Sequence, residues 1–164
     1  MGILLEGRVA SIPGPVSLLN CYGPYREMIP FWQAVGSSGA LESDSLILGG
    51  DLNLTISVRK VWGVNSRLDP LADFFYGLFD AAWLVDVTPR KVRPTWRNGR
   101  VGHAGISKRL DRFLINHHYL EGKFRIRSWI INSLISNHNL ICLQLESLDF
   151  LFKFPFKFNH ASLK

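Results

Sequence analysis

The chain has 164 residues, which is the size of one domain, and 47% of them are hydrophobic. Its 11 Phe and 5 Trp residues supply ample material for a packed core, which excludes an intrinsically disordered protein. The net charge of +6 favours a polyanionic partner such as nucleic acid, although many basic proteins bind nothing in particular.

The cysteines and the apolar runs indicate a cellular compartment. Cys21 and Cys142 lie in apolar, strand-like segments and are predicted to be reduced core thiols. The first residues lack the basic start and continuous apolar stretch of a signal peptide, and no run approaches the ~18 apolar residues that span a membrane. We therefore expect an intracellular protein, in the nucleus or cytoplasm, that is neither secreted nor bound to membranes.

The first half of the chain is predicted to hold two strands and two helices. Residues 16–22 are apolar and are followed by Gly-Pro, which is typical of a strand ending in a turn. A helix is expected to begin near Pro30, and its apolar stripe consists of Phe31, Trp32 and Val35. Residues 45–48 are predicted to form a short buried strand that runs into Gly-Gly-Asp. The clearest helix begins at Asp69 as its N-cap and carries apolar residues at helical spacing, namely Leu71, Phe74, Phe75, Leu78 and Phe79.

The second half of the chain is predicted to be richer in strands. Residues 95–100 include the Asn-Gly dipeptide that is typical of a β-hairpin. Three apolar runs, at residues 110–115, 126–131 and 140–145, are interpreted as strands. Strands separated by helical segments indicate an α/β fold, to which the hairpin adds antiparallel pairing. Residues 150–158 alternate Phe with Lys and Pro, and a partly ordered tail that packs its Phe side chains is favoured over a specific site.

Asp51 and Asn53 follow the predicted strand at residues 45–48. In extended geometry, side chains two residues apart project on the same face. A carboxylate there can orient or deprotonate a water molecule, and the amide can donate a hydrogen bond to a phosphate oxygen. On spacing alone, however, a Gly-Asp turn whose Asp caps neighbouring backbone groups is the favoured interpretation.

Asp111 lies in an apolar strand, where an unpaired carboxylate is costly to bury, so it needs a partner. An ion pair with Arg109 or Arg112 is the simpler alternative. A pairing with His138 is the sharper alternative, because a carboxylate beside an imidazole nitrogen fixes the tautomer of the ring. Taken alone, His138 has the features of an ordinary loop histidine.

A basic segment surrounds the predicted hairpin and is a candidate nucleic-acid surface. Its cationic side chains are Arg90, Lys91, Arg93, Arg97 and Arg100. They attract phosphates, and Trp96 is available to stack on bases or to wedge between them. An equally favoured alternative is a hairpin whose charged side chains are merely solvated by water and bind no nucleic acid.

Five motifs in a fixed order resemble the endonuclease/exonuclease/phosphatase superfamily, which includes the apurinic-site endonucleases and pancreatic DNase. They are Asn-Cys-Tyr-Gly-Pro at 20–24, Gly-Gly-Asp-Leu-Asn at 49–53, Pro-Thr-Trp at 94–96, Arg-Leu-Asp-Arg-Phe-Leu-Ile at 109–115 and Ser-Asn-His at 136–138. The motif at 109–115, with Pro-Phe-Lys-Phe-Asn at 155–159, is most similar to the endonuclease domain of plant LINE-type, non-LTR retrotransposon polyproteins. The resemblance implies a partial nuclease domain at residues 1–148 and a tail at residues 149–164 that resembles the segment after the nuclease.

The resemblance implies an incomplete version of a four-layer α/β sandwich, in which two β-sheets lie face to face with helices outside. It also implies hydrolysis of DNA phosphodiesters with Mg²⁺ or Mn²⁺ as cofactor. Carried over by position, Tyr22 would contact the scissile phosphate. Asp51 would bind the metal and activate the attacking water, and Asn53 would bind the phosphate or that water.

Three of the remaining site residues are assigned by the same resemblance. Asp111 would orient His138, whose imidazolium would stabilise the transition state or its leaving oxygen. The basic segment, rather than the resemblance, predicts that Trp96 and Arg97 bind substrate. Asn137, which stands where the family has an Asp, would be a weak further metal ligand.

Two departures from the family pattern imply reduced activity. The family domain begins upstream of residue 16 with strands that supply an Asn and the principal metal ligand, a Glu. Glu6 does not fit that motif, so we expect the leading part of the fold to be absent and the exposed sheet edges to favour self-association. Asn137 removes one negative charge, and the loss of one such contributor commonly costs ~10²–10⁴ in rate.

Three functions therefore remain open for this chain. The first is a metal-dependent DNA endonuclease whose activity is impaired or lost. The second is a catalytically inactive fragment that still binds nucleic acid, and the third is a retrotransposon pseudogene product without selected activity. A steep salt dependence of binding would distinguish the second from the third.

Overall fold

The computed structural model of the chain describes residues 1–64, 67–121 and 124–148. The predicted Phe-rich tail at residues 150–158 lies outside the described residues. In the part of the chain that is described, no helix is long and apolar enough to cross a membrane. Cys21 is buried, Cys142 is half-buried, and both are free thiols, as the sequence predicts.

The described residues form ten strands and three α-helices. The strands are β1 (Gly2–Arg8), β2 (Pro15–Cys21), β3 (Leu46–Asp51), β4 (Val61–Trp62), β5 (Leu84–Asp86), β6 (Trp96–Arg97), β7 (Ser107–Lys108), β8 (Asp111–Asn116), β9 (Phe124–Ile131) and β10 (Leu140–Ser147). The helices are α1 (Met28–Ser37), α2 (Ala72–Ala81) and α3 (His118–Glu121), with short 3-10 segments at Val58–Lys60 and Gly102–Ala104. This mixture confirms the predicted α/β class.

The strands form three sheets. The largest has the order β1-β2-β3-β8-β5, in which β2 and β3 are parallel and the other neighbours are antiparallel. Strands β9 and β10 form a two-stranded antiparallel sheet, and β4, β7 and β6 form a small three-stranded sheet. The parallel pair requires a crossover, and α1 provides it between β2 and β3.

The large sheet is packed on both faces. One face buries an aromatic cluster from α1 and α2, in which Trp32 makes edge contacts with Phe75 and Phe79 at centroid distances of 6.0 and 5.9 Å. The opposite face packs Ile47 and Ile115 against apolar side chains of β9 and β10. The layers are therefore helix, sheet and sheet, which is part of the sandwich that the sequence predicts.

The clearest predicted helix begins two residues later than expected, because Asp69 as N-cap would make Pro70 its first residue. Helix α2 begins at Ala72, and Asp69 caps the turn before it, because its Oδ1 accepts from the N–H of Leu71 at 3.0 Å. The predicted apolar stripe is correct, since Phe75 and Phe79 are buried and Phe74 and Leu78 pack against the same core.

The sequence pattern missed two strands of the large sheet. All seven residues of β1 are exposed, so this strand has none of the alternation that marks a half-buried strand. Strand β5 has three residues, which is too short for a periodic signal. The predicted hairpin is present as β6 and β7, but residues 98–106 connect its strands, and the Oδ1 of Asn98 accepts from the N–H groups of Arg100 and Ile106.

Candidate active site

Asp51 is the last residue of β3, where the buried strand reaches the edge of the fold. Two glycines precede it for steric reasons. A Cβ at Gly49 would lie 2.7 Å from the ring of Phe113, and a Cβ at Gly50, whose φ is +129°, would lie 2.1 Å from the carbonyl oxygen of Cys21. The Gly-Gly-Asp sequence therefore allows neighbouring strands to approach closely while Asp51 stays at the strand end.

Asn53 is not held in the extended geometry that the sequence analysis assumed. Its φ is +53°, and its N–H donates to the Oδ1 of Asp51 at 3.0 Å, so the chain turns directly after the strand. The alternative of an Asp that caps neighbouring backbone is thus realised. The Nδ2 of Asn53 donates to the carbonyl oxygen of Gly23 at 2.6 Å, and the N–H of Gly23 donates to the carbonyl of Asp51 at 2.7 Å. These bonds join the loop after Tyr22 to the end of β3.

Asp111 begins β8 and lies directly opposite Asp51 in the antiparallel register. Thr95, which is fully buried, fixes this backbone, because its Oγ1 accepts from the N–H groups of Leu110 at 3.0 Å and of Asp111 at 2.9 Å. The carbonyl of Thr95 also accepts from the N–H of Asn139 at 2.7 Å. Thr95 therefore connects the segment that carries Asp111 to the loop that carries His138.

His138 lies between the two carboxylates. Its Nδ1 is 3.0 Å from the Oδ2 of Asp111, and its Nε2 is 3.8 Å from the Oδ2 of Asp51. The Asp111–His138 pairing that the sequence analysis proposed is therefore present. An Nδ1–H that donates to Asp111 leaves Nε2 to accept a proton, or to donate one when the ring is charged. The His138 side chain is 31% exposed, against 10% for Asp51, so the ring is open to a substrate.

Asp51, Asp111 and His138 each offer a ligand atom, and these atoms all lie within 4.8 Å of one another. Burial raises the pKa of the Asp51 carboxyl, and the charge of Asp111 raises it further, although the N–H of Asn53 and His138 act in the opposite direction. A cation beside these oxygens would relieve the cost of holding two buried carboxylates together. Carboxylate oxygens are the ligands that Mg²⁺ prefers, so this cluster is consistent with a divalent ion, which Asp51 would hold.

The other predicted site residues lie on strand β6 and on the loops around this cluster. Tyr22 is 60% exposed and directly follows β2. Trp96 forms an isolated antiparallel bridge with His138, and the exposed Arg97 donates its N–H to the carbonyl of Asn137 at 3.0 Å. The side chain of Asn137 is exposed.

Neither Arg109 nor Arg112 is the partner of Asp111, so that alternative is wrong. Both guanidinium groups are buried and bond to Asp86, at 2.7 and 2.8 Å from Arg109 and at 3.2 Å from Arg112. Lys60 adds a third cation at 2.6 Å. Although burial raises the pKa of Asp86, the charges of Arg112, Arg109 and Lys60 outweigh it and lower the pKa to about 2.

Sequence reasoning missed Thr95 and Asp86 as determinants of the site. Thr95 stands within the Pro-Thr-Trp motif, but its role is to accept from two backbone N–H groups, which no side-chain pattern reveals. Asp86 is 23 and 26 residues from its arginine partners, so their pairing depends on the sheet register. The available signal was the presence of two arginines in an apolar strand, which require a buried acid somewhere.

This architecture is the DNase-like α/β fold, as two solved structures show. The chain superposes on the endonuclease domain of TRAS1, a telomere-specific non-LTR retrotransposon, with a TM-score of 0.69 and 15% identity over 89% of this chain. It superposes on a 3'-5' exonuclease from Neisseria meningitidis with a TM-score of 0.63 and 13% identity over 87% of this chain. The chain covers 62% and 64% of those two structures.

Nearly the whole of this chain is similar in sequence to part of a transposon protein. It is 30% identical over 173 aligned positions to the Transposon TX1 uncharacterized 149 kDa protein of Xenopus laevis, which covers 99% of this chain. The chain spans 13% of the length of that protein. No family model matches the chain. The DNase-like fold that the resemblance implies is therefore confirmed, and the chain is similar in sequence to a transposon protein, whereas the likeness to plant elements stays a prediction.

Proposed function

We propose that this chain belongs to a retrotransposon endonuclease and hydrolyses DNA phosphodiesters with Mg²⁺ or Mn²⁺. The observation that carries the proposal is the position of His138 between Asp111 and Asp51, at the strand ends of a DNase-like fold. Nuclease and retrotransposon neighbours support the same reaction class. The nuclease fold is assigned to residues 1–148, with residues 149–164 as the segment beyond it, in an intracellular protein.

Each residue of the cluster has a role that follows from its contacts. When bound, a divalent cation supplies positive charge beside the phosphate. Asp51 holds the cation and orients the attacking water. The ring of His138, held by Asp111 through Nδ1, presents Nε2 to stabilise the phosphate oxygens or to protonate the leaving oxygen.

The surrounding loops supply the groups that bind the substrate. Asn53 uses one amide hydrogen on Gly23 and retains a second for a phosphate oxygen. Tyr22, on the loop after β2, and Trp96 and Arg97, on the short strand β6, lie beside the cluster and are proposed to contact the DNA. Asn137 contributes an amide oxygen but no charge, so we expect a slow enzyme.

A second candidate function is nucleic-acid binding without cleavage. It is favoured by the neutral Asn137 and by the five exposed cations of the basic segment, Arg90, Lys91, Arg93, Arg97 and Arg100. We also propose that β1, an exposed edge of the large sheet, is the site of any self-association.

Nicking of supercoiled plasmid tests the proposal. The wild-type protein is incubated with Mg²⁺ or Mn²⁺, and with EDTA as control, beside Asp51→Asn. Asp44→Asn is the matched control, because Asp44 is exposed and lies at the opposite end of β3. We expect metal-dependent nicking that Asp51→Asn lowers by ~10² or more and Asp44→Asn leaves unchanged.

Three outcomes would contradict this function. Nicking that persists in EDTA, or that is equal in the wild type and Asp51→Asn, would show that the nicking does not come from this site. Salt-dependent DNA binding without nicking would establish the second candidate instead.

A further inference from the structure

A positively charged cleft lies on the outer side of β9, beside the loop at residues 88–94. Two adjoining depressions make up this cleft, and they share Arg90 and Trp129. Lys91 and Arg93 line the first depression, and Arg127 and Gln144 line the second. The lining residues include four cations and no carboxylate.

The cleft is built by contacts between the loop and the strand. The N–H of Arg90 donates to the carbonyl of Ser128 at 3.1 Å, which holds the loop against β9. Arg127 and Trp129 are two residues apart on β9, so both project to the same side. The Trp129 side chain is 41% exposed, which leaves an indole surface open between cations of the loop and of the strand.

The cations of the cleft are available to a ligand. Within the described ranges, Arg90, Lys91, Arg93 and Arg127 make no ion pair, whereas the nearby Arg125 pairs with Glu146 at 3.5 Å. Four unpaired charges around one aromatic side chain attract an anion that also has a flat surface. A nucleic acid strand has both, because its phosphates pair with Lys or Arg and its bases stack on aromatic rings.

The cleft is joined to the candidate active site through its loop. The loop ends at Pro94, whose carbonyl accepts from the Nδ2 of Asn139 at 3.0 Å. The next residue, Thr95, accepts from the N–H of Asn139 at 2.7 Å, and Asn139 directly follows His138. The loop that lines the cleft is therefore hydrogen-bonded to the residue that follows His138.

We propose that this cleft binds single-stranded nucleic acid at the side of the catalytic cluster, an inference that rests on the proposed nuclease function. Arg90, Lys91, Arg93 and Arg127 bind successive phosphates, and one base stacks on Trp129. Bases in a duplex are already stacked on their neighbours, so the exposed indole selects an unpaired strand. The cleft holds the unpaired strand beside the position where the phosphodiester is cut.

Binding without cleavage tests this proposal separately from catalysis. Fluorescence anisotropy is measured in EDTA with a labelled single-stranded 12-mer, and with the same sequence as a duplex, over a series of salt concentrations. Arg90→Gln/Arg93→Gln is compared with Arg8→Gln/Arg67→Gln, which removes the same charge from exposed positions outside the cleft. Trp129→Leu is compared with Trp83→Leu, another exposed tryptophan.

The cleft variants are expected to bind single strands more weakly than their controls. Arg90→Gln/Arg93→Gln should lower the slope of log K against log salt by about 1.4, because each lost phosphate contact contributes about 0.7. Trp129→Leu should weaken binding about 5- to 150-fold, which corresponds to the ~1–3 kcal/mol typical of one stacked base. Both controls should bind as the wild type does.

Equal affinity of the cleft variants and their controls would overturn the proposal, even if the protein nicks plasmid. Equal loss of duplex and single-strand affinity would overturn the preference for single strands. Cleft-dependent binding by a protein that does not nick would instead refute the nuclease function and leave the cleft in place. The Arg double variant is on the surface, so it decides the question if Trp129→Leu fails to fold.

Discussion

Asp111 and His138 are 27 residues apart in the chain, and the Nδ1 of His138 lies 3.0 Å from the Oδ2 of Asp111. The Nε2 of the same ring lies 3.8 Å from the Oδ2 of Asp51. The carboxylate of Asp111 thus orients the imidazole, and the second ring nitrogen faces Asp51. This arrangement is the basis for assigning Asp111 a positioning role and His138 a catalytic one.

Thr95→Val is expected to lower both stability and nicking. The substitution leaves the N–H groups of Leu110 and Asp111 without their acceptor in a buried position. Unsatisfied buried donors cost about 1–3 kcal/mol in the free energy of unfolding. Chemical denaturation measures the loss, with Thr88→Val, at an exposed position, as control. Equal midpoints for the two variants would show that Thr95 does not hold the Asp111 segment.

Asp86→Asn is expected to destabilise the fold by about 3–5 kcal/mol, because it leaves two buried guanidinium groups without their anion. The exposed Asp80→Asn is the matched control and should change stability by less than ~0.5 kcal/mol. Thermal unfolding followed by circular dichroism compares the two. The backbone carbonyl of Leu54 also accepts from the guanidinium group of Arg112. A small effect of Asp86→Asn would show that such carbonyl acceptors suffice for the arginines.

The same carboxylate predicts a pH dependence of stability. The pKa of Asp86 is lowered to about 2 in the fold, below the ordinary value of about 3.9. Its contribution is therefore fully present above pH ~4 and is lost as the pH falls towards 2, because protonation then breaks the ion pairs. Wild type should lose stability over this range more steeply than Asp86→Asn. Parallel curves for the two proteins would contradict the assignment.

Asn137→Asp is expected to raise the rate of metal-dependent nicking. The carboxylate restores one negative charge beside His138, and a contributor of this kind is commonly worth ~10²–10⁴ in rate. Asn132→Asp adds the same charge at another exposed position of the same loop region and serves as control. A gain in both variants would indicate a general effect of charge, and a gain in neither would exclude Asn137 as the cause of slow turnover.

The sequence predicts those parts of the fold whose apolar pattern is strong. The strands predicted at residues 16–22 and 110–115 are correct within a residue or two, because each is a mainly apolar run in the sequence. Strand β1 is not predictable in this way, since its pairing with β2 is a backbone property and all of its side chains are exposed.

The candidate site likewise contains features that the sequence predicts and features that depend on packing. The position of Asp111 in an apolar strand predicts only that it requires a partner, and the resemblance to the nuclease superfamily is what favours His138 over Arg109 or Arg112. The orientation of Asn53 is not predictable, because its left-handed backbone and its bond to Gly23 arise from the packing of two loops. Asp86 is likewise set by the register of β5 against β8, which brings it to arginines that are distant in sequence.

Metal-dependent plasmid nicking tests the catalytic role of His138 most directly. It is measured for the wild type, His138→Ala, Asp111→Asn and the double variant, with the exposed His118→Ala as control. His138→Ala is expected to lower nicking by ~10²–10⁴. Because Asp111 acts through His138, the double variant should lose little more activity than His138→Ala alone. His118→Ala should nick as the wild type does. Equal nicking by the wild type and His138→Ala, or independent and multiplicative effects of the two substitutions, would contradict these roles.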